Sequence, residues 1–454
     1  MKPNLLPFCL LAMAGCQAEP VTHREATNSL KEASSQETQR DTVLDKTIAS
    51  PDKAYRWSKN PQSTTGADDG AINFYLVSQT WQGKPWEHRL QLLTPTKLRY
   101  PNAAILNISF GNGTFAETFV AKALAEATGM RVVNVFNVPN QPLFGKTEDE
   151  LIAYTFGKYI ETGDENWPLL FPMTKAVVKA MDALQEWSKK ESSSEINKFI
   201  VSGASKRGWT TDLVAAADSR VVGAIPIVYN NLNLVAQVDH QREVWKGISG
   251  MMAPYAAVGL FDEPRPERVK QLAAMVDPWT YRDRLTMPKL LINATNDAYW
   301  PHDAAKLYQD DLPGQTDVFN VPNAPHILGE SATAAIGSAA AWSSLVMQGK
   351  KAPPVNLEVE KAEGGYRFSV TTKGTPSSVK VWLASSSSKD FRQSRWTPIT
   401  LQGKEGAYSA TVPTVKLFPQ GAKHAAAFGE IEMPWQPLPL RLSSVMWEAV
   451  NPSN

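Results

Sequence analysis

From residue 55 onward, the apolar positions along the chain follow two rhythms. Short runs at 74–81, 88–93, 103–109 and 131–138 predict strands. Helical spacing predicts a helix near 114–128 and an apolar-faced one over 168–188. Phe199-Ile200-Val201 predicts a further buried strand, closed by Ser202-Gly203, after which Trp209, Leu213, Val214 and Ala217 recur at helical spacing. Strands at 221–228, 290–294 and 318–321 complete the series. This alternation predicts an α/β domain over 55–350, built on a mostly parallel sheet with helices on both faces.

Residues 231–286 hold no clear strand but carry Trp245, Met251, Met252, Tyr255 and Phe261. They read as a helical cap over one end of the sheet, or simply as core. An alanine-rich helix at 332–347 precedes Gly349-Lys350-Lys351-Ala352-Pro353-Pro354, which breaks the chain. Beyond it, 357–359, 366–370, 379–383 and 408–412 alternate with period two, predicting a small all-β sandwich domain at 355–454.

The N-terminus follows neither rhythm. Lys2 precedes an apolar run over 5–14, too short to span a bilayer, ending in Met13-Ala14-Gly15-Cys16. Residues 1–16 therefore read as a signal peptide whose end resembles a bacterial lipobox, with Cys16 lipidated and anchoring the protein to a membrane. Gln17, rather than aspartate, follows the cysteine, which by resemblance to Gram-negative sorting rules favours the outer membrane; the alternative is a soluble secreted protein cut nearby, in the periplasm or beyond. Residues 17–54 are polar and free of Phe, Trp and Tyr, and read as a flexible tether.

Composition narrows the function classes. A net charge of +1 gives no reason to expect nucleic acid. Of the two cysteines, Cys9 lies inside the leader, so neither a disulfide nor a cysteine metal cluster is available. There is no His-Glu-x-x-His, P-loop or dinucleotide fingerprint, and no metal or cofactor is expected.

The strand-to-helix corner at Gly203-Ala204-Ser205-Lys206-Arg207-Gly208 is where chemistry enters. Such a corner pushes a serine hydroxyl off the sheet edge beside helix amides. The usual elbow has glycine two residues either side of the serine; here Arg207 takes the second place. A serine also needs a base, and the base a carboxylate. Asp297 falls just past the seventh predicted strand and His326 in the loop after the eighth. The order Ser205, Asp297, His326 is that expected of an α/β-hydrolase. His302, near Asp297 but at a helix start, is a decoy. For the oxyanion, the candidates are the backbone amides of Lys206 and of Gly111 and Asn112 in the turn after the third strand. The alternative is that these glycines merely make a turn, as the serine, aspartate and histidine could be ordinary surface residues.

With these residues assembled, the chain resembles the PhoPQ-activated pathogenicity-related family (PqaA type), a bacterial branch of the α/β-hydrolases. The resemblance rests on residues 203–210, 148–155, 163–168, 172–182, 276–282 and 287–289, and covers roughly 75–350. It implies an exported hydrolase-fold protein linked to virulence and antimicrobial-peptide resistance. The Gly-x-Ser-x-x-Gly spacing also looks like glucuronoyl esterases, in which a cation follows the serine. Lys206 could play that part and Arg207 could bind an acidic substrate group, or both could sit in structural salt bridges. Trp209 and Trp300 are candidates for stacking on a sugar, or are core. Asp149, Glu150, Asp164 and Glu165 could line the pocket or cap helices.

The leading expectation is a cell-envelope serine hydrolase acting on a small-molecule, glycan or peptide substrate. The alternatives are a carbohydrate esterase, a peptidase and a non-catalytic surface-binding lipoprotein.

Overall fold

A computed structural model describes residues 41–60 and 70–452. The first half of the chain runs α1 (Val43–Ala49), β1 (Arg56–Lys59), β2 (Ile72–Trp81), β3 (Lys84–Leu93), β4 (Ala103–Ile108), α2 (Phe115–Thr128), β5 (Arg131–Val135), α3 (Glu148–Thr162), α4 (Leu170–Glu191), β6 (Lys198–Ala204) and α5 (Lys206–Ala217). It continues through β7 (Val221–Ile227), α6 (Leu234–Trp245), α7 (Ala253–Ala256), α8 (Glu267–Val276), β8 (Lys289–Ala294), β9 (Thr316–Val321) and α9 (Ala332–Met347). The remaining strands are β10 (Val355–Ala362), β11 (Gly365–Thr372), β12 (Ser378–Ser386), β13 (Thr397–Thr400), β14 (Gln402–Lys404), β15 (Ala407–Pro413), β16 (His424–Met433), β17 (Leu440–Ser443) and β18 (Trp447–Val450).

The central sheet runs β1-β2-β3-β5-β4-β6-β7-β8-β9. Strands β4 to β9 pair in parallel and the β1, β2, β3 edge is antiparallel. Setting aside edge strand β1, this is the α/β-hydrolase order, with Ser205 after the fifth strand and His326 after the eighth. Its parallel strands are apolar on both faces because helices cover both. Ala104, Leu106, Val133 and Val201 point to a core shared with Met173 and Leu184 of α4 and Leu213 of α5. Their alternates Ala103, Ile105, Val132 and Ile200 join Ala121 and Ala125 of α2 and Trp342 of α9. α2 starts where Thr114 and Glu117 form a reciprocal capping box. Between β7 and β8 the described chain is helical, as expected of the cap.

Two features differ from the sequence reading. The tether does not extend to residue 54: α1 buries Leu44 completely, and Asp45 accepts two hydrogen bonds from Arg284, at 2.8 and 3.0 Å. A seven-residue helix with one buried residue leaves too little periodicity to be seen. Cys16, the leader and residues 17–40 lie outside the described residues. The C-terminal strands do form two layers, but only β10-β11-β15-β14 is a sheet of its own. β17 pairs β9 through Ser443 and Val318, so β16, β12 and β13 prolong the hydrolase sheet past residue 354. Among the described residues no helix is long and apolar enough to cross a membrane.

Within this sheet lies a buried titratable group, His88 of β3. Its ring sits 3.0 Å from Ser78 Oγ and 3.2 Å from the Phe136 carbonyl. Burial pushes its pKa down to about 4 from 6.5, with the Phe136 carbonyl pulling partly back. The folded state therefore refuses a proton that the unfolded chain takes up below pH 6.5, and stability falls as pH drops from there toward 4. This group alone is expected to remove roughly 2–3 kcal/mol over that window. His88→Gln should flatten the pH dependence of the urea midpoint between pH 7 and 4; an unchanged slope would refute the assignment.

Candidate active site

Ser205 stands between the last residue of β6 and the first of α5, with φ 56° and ψ −123°. A non-glycine residue adopts such a backbone only when its surroundings hold it there. Here the Ser205 amide donates to the Ile227 carbonyl of β7 at 2.8 Å, and its carbonyl accepts from the amides of Gly208 (2.7 Å) and Trp209 (3.1 Å). The two glycines explain the shifted motif. A Cβ on Gly203 would lie 2.5 Å from the Arg207 carbonyl oxygen, and one on Gly208 would lie 2.6 Å from Tyr229 Cβ. It is position 208, not 207, that meets the neighbouring strand.

The Ser205 Oγ lies 2.8 Å from His326 Nε2, and His326 Nδ1 lies 2.8 Å from Asp297 Oδ2. Asp297 is buried and its other oxygen accepts from the Tyr299 amide at 2.7 Å. A carboxylate on Nδ1 fixes the tautomer that leaves Nε2 free to accept the serine proton. The Tyr299 ring packs on the imidazole with centroids 4.3 Å apart. His302 is engaged elsewhere, 3.1 Å from Glu448 and against the rings of Phe391 and Trp396.

The C-terminal segment braces the loops that carry the aspartate and the histidine. Asn296 donates to the carbonyls of Arg392 (3.1 Å) and Ser394 (2.7 Å). Asn323 exchanges two hydrogen bonds with the Trp396 backbone, at 2.9 and 2.7 Å, and its own amide donates to Thr295 Oγ1 at 2.8 Å. Asn323→Ala is therefore expected to lower kcat by up to about 10²-fold through misplacement of His326. Steady-state kinetics with a melting curve would check this, since an unchanged kcat would make the brace purely structural.

The basic residues beside the serine are committed to acids. Arg207 donates to both Glu148 carboxylate oxygens at 2.6 Å and from Nε to the Val138 carbonyl at 2.7 Å, with its side chain almost fully buried. Arg207 is thus a structural ion pair rather than a substrate ligand, correcting that expectation. Burial opposes ionisation of Glu148, but the hydrogen bonds and charge of Arg207, with Lys206, outweigh it and hold the carboxyl down at about 2. Lys206 Nζ lies 2.9 Å from Glu148 and 3.4 Å from Asp149. Asp149 in turn accepts from the hydroxyls of Tyr255 and Tyr299, each at 3.0 Å.

A recess at the serine is lined by Asp149, Ser205, Lys206, Trp209, Tyr229, Met252, Tyr255, Tyr299 and Trp300. Both candidate tryptophans are there, but buried: Trp209 Nε1 donates to the Val276 carbonyl at 2.6 Å and its ring stacks on Tyr229. One face of Trp209 is thus covered by Tyr229. The Lys206 amide, first in α5, has no acceptor inside the helix, and Lys206 is among the residues lining the recess. Gly111 and Asn112 are exposed and do not line the recess, so their part as oxyanion donors gains no support. Glu150, Asp164 and Glu165 are exposed and away from it, leaving Asp149 as the pocket acid.

Sequence reasoning missed Glu148 and Tyr299 as site residues. Tyr299 was within reach, two positions after Asp297; Glu148 was not, because its partner lies 59 residues on. Among the described residues, His302, Asp303 and Glu448 have ligand atoms within 4.8 Å of one another. Their present partners are Lys306, 2.9 Å from Glu448, and His240, 2.8 Å from Asp303.

Residues 44–392 match the family of PhoPQ-activated pathogenicity-related proteins. The chain belongs to that family. The match opens at α1, whose Leu44 is buried, and closes on the Arg392 segment that braces Asn296. A relative within reach of this PhoPQ-related chain is autocrine proliferation repressor protein A of Dictyostelium discoideum. It is 31% identical over 379 residues, 77% of this chain and 76% of that protein. Solved structures of similar shape include an acetyl xylan esterase from Paenibacillus sp. R4, with 14% identity, 70% of this chain and 96% of that chain covered, and a TM-score of 0.44. Acetyl xylan esterase 1 from Thermoanaerobacterium sp. JW/SL YS485 matches at 14% identity over 67% of this chain and 90% of that one, with a TM-score of 0.46. The acylaminoacyl peptidase of Pyrococcus horikoshii matches at 14% identity, 60% and 45% coverage, and a TM-score of 0.38.

Proposed function

We propose that this PhoPQ-related protein is a serine hydrolase that cleaves an ester or amide by acyl transfer. The observation that carries the reading is the unbroken relay from Ser205 Oγ through His326 to Asp297, with 2.8 Å at each step. His326 Nε2 takes the hydroxyl proton as Oγ attacks the carbonyl carbon. The oxyanion forms beside the Lys206 amide at the helix N-terminus, and His326 then hands the proton to the leaving alcohol or amine. Water, activated by the same imidazole, releases the acid and regenerates Ser205.

The commitment of Arg207 to Glu148, and of Lys206 to two carboxylates, weighs against recognition of an acidic sugar. A binding module, for its part, has no use for a proton relay. The test is hydrolysis of p-nitrophenyl esters and aminoacyl amides by the purified protein beside Ser205→Ala. Turnover confined to the wild type supports the reading, and equal background rates in both would remove it.

The cell envelope is the proposed setting, with Cys16 lipidated and the body held at the outer membrane or, without that anchor, as a soluble protein in the periplasm. A role in virulence and resistance to antimicrobial peptides is the physiological counterpart implied by the family resemblance. Mass spectrometry of the mature N-terminus checks the anchor, since an unmodified Cys16 in the mature protein would contradict it.

A further inference from the structure

Behind the Ser205 recess, inside the cap, lies a second and larger cavity. It shares Trp209, Met252, Tyr255 and Trp300 with the recess, so the two spaces meet across these four side chains. The recess measures about 20 Å³ and the inner chamber about 70 Å³. The chamber's far wall is apolar, supplied by Leu234 and Val238 of α6 and by Leu272 and Ala273 of α8, among others.

The chamber's long polar side chains are already occupied. Gln241 donates to the Tyr299 carbonyl (3.0 Å) and accepts from the Ser249 amide (3.1 Å). Arg265 pairs with Glu263 at 2.9 Å and Asp239 at 3.4 Å. Water filling such a space would find few partners, whereas an apolar group would lose nothing there. The wall does keep a few polar groups, Asn231 and the unpartnered Trp300 Nε1 among them, but too few for the several hydroxyls of a sugar, and it presents no uncommitted cation to a carboxylate.

Orientation at the serine decides which part of a substrate enters. The leaving group must reach His326 Nε2 to be protonated, and His326 does not line the chamber. Trp209, three residues beyond Lys206 on α5, does. The acyl side of the scissile carbonyl therefore faces the cap.

We propose that the chamber is the acyl subsite, and that the substrate is an ester or amide of a small apolar acid: a short aliphatic chain or a single aromatic ring. This rests on the serine-hydrolase reading and adds to it the class of acid transferred to Ser205. Each methylene buried in the chamber should raise kcat/KM by about fourfold until the space is full.

The experiment compares p-nitrophenyl acetate, butyrate and hexanoate on the full-length protein. Butyrate, two methylenes longer, is expected to exceed acetate by about fifteenfold in kcat/KM. Ala273→Phe, which fills the chamber from a partly exposed helix position, should bring the butyrate-to-acetate ratio to one or below. Val238→Phe enters from α6 and should do the same, covering the case in which one variant misfolds. Hydrolysis with acetate preferred, or a ratio unmoved in both folded variants, overturns the acyl subsite while leaving the serine mechanism standing. No hydrolysis of any ester, with no fluorophosphonate labelling of Ser205, overturns the mechanism and the subsite with it.

Discussion

Asp297→Asn is expected to lower kcat by about 10⁴-fold and leave the fold intact. The carboxylate accepts from His326 Nδ1 at 2.8 Å and from the Tyr299 amide at 2.7 Å. An asparagine keeps an oxygen for one of these contacts. It can satisfy the imidazole by presenting its NH₂ to Nδ1, which places the proton on Nε2, the wrong nitrogen for taking one from Ser205. The imidazolium that forms during attack also loses its compensating charge. KM should change far less than kcat, because Asp297 touches no substrate. Steady-state kinetics with a circular dichroism melt measures both. A loss below tenfold in a folded variant would mean that Asp297 is not the orienting acid.

The second large effect concerns stability. Glu148→Ala leaves Arg207 and Lys206 with their side chains buried and their shared partner gone, only Asp149 remaining near Lys206. Stranding a buried charge costs about 3–5 kcal/mol. The opposite change, Arg207→Met, should cost less, because the Glu148 carboxylate is partly open to solvent and can be hydrated. The pair should also persist in acid. Glu148 has its pKa held at about 2 against an ordinary 4.5, so its contribution is complete above pH 4.5 and is lost as pH falls toward 2. Urea denaturation of the two single variants and of the Glu148→Ala, Arg207→Met double variant measures the coupling. Equal losses from the two single changes would refute the asymmetry.

Much of the site was legible in the sequence because α/β-hydrolase chemistry is tied to strand ends. Apolar runs marked the strands, and the residues just past three of them were Ser205, Asp297 and His326. What local pattern could not carry was the pairing of distant segments. Nothing around Ser443 announces that it pairs with Val318 and joins the C-terminal strands to the central sheet. The role of Arg207 was equally hidden, since a cation after a nucleophile suits substrate binding until Glu148 is seen beside it. Leu44 escaped because one buried side chain in a polar stretch gives no period. The same long-range logic hides Asn296 and Asn323, which hold the loops of Asp297 and His326 through the backbone of residues 392–396.

The central claim is that Ser205 is an activated nucleophile, and a fluorophosphonate probe addresses it most directly. The protein is labelled, digested and mapped by mass spectrometry, with His326→Ala alongside. Modification confined to Ser205 in the wild type, and lost in the histidine variant, is the result predicted. A folded wild-type protein left unlabelled, or labelled equally without His326, would contradict it.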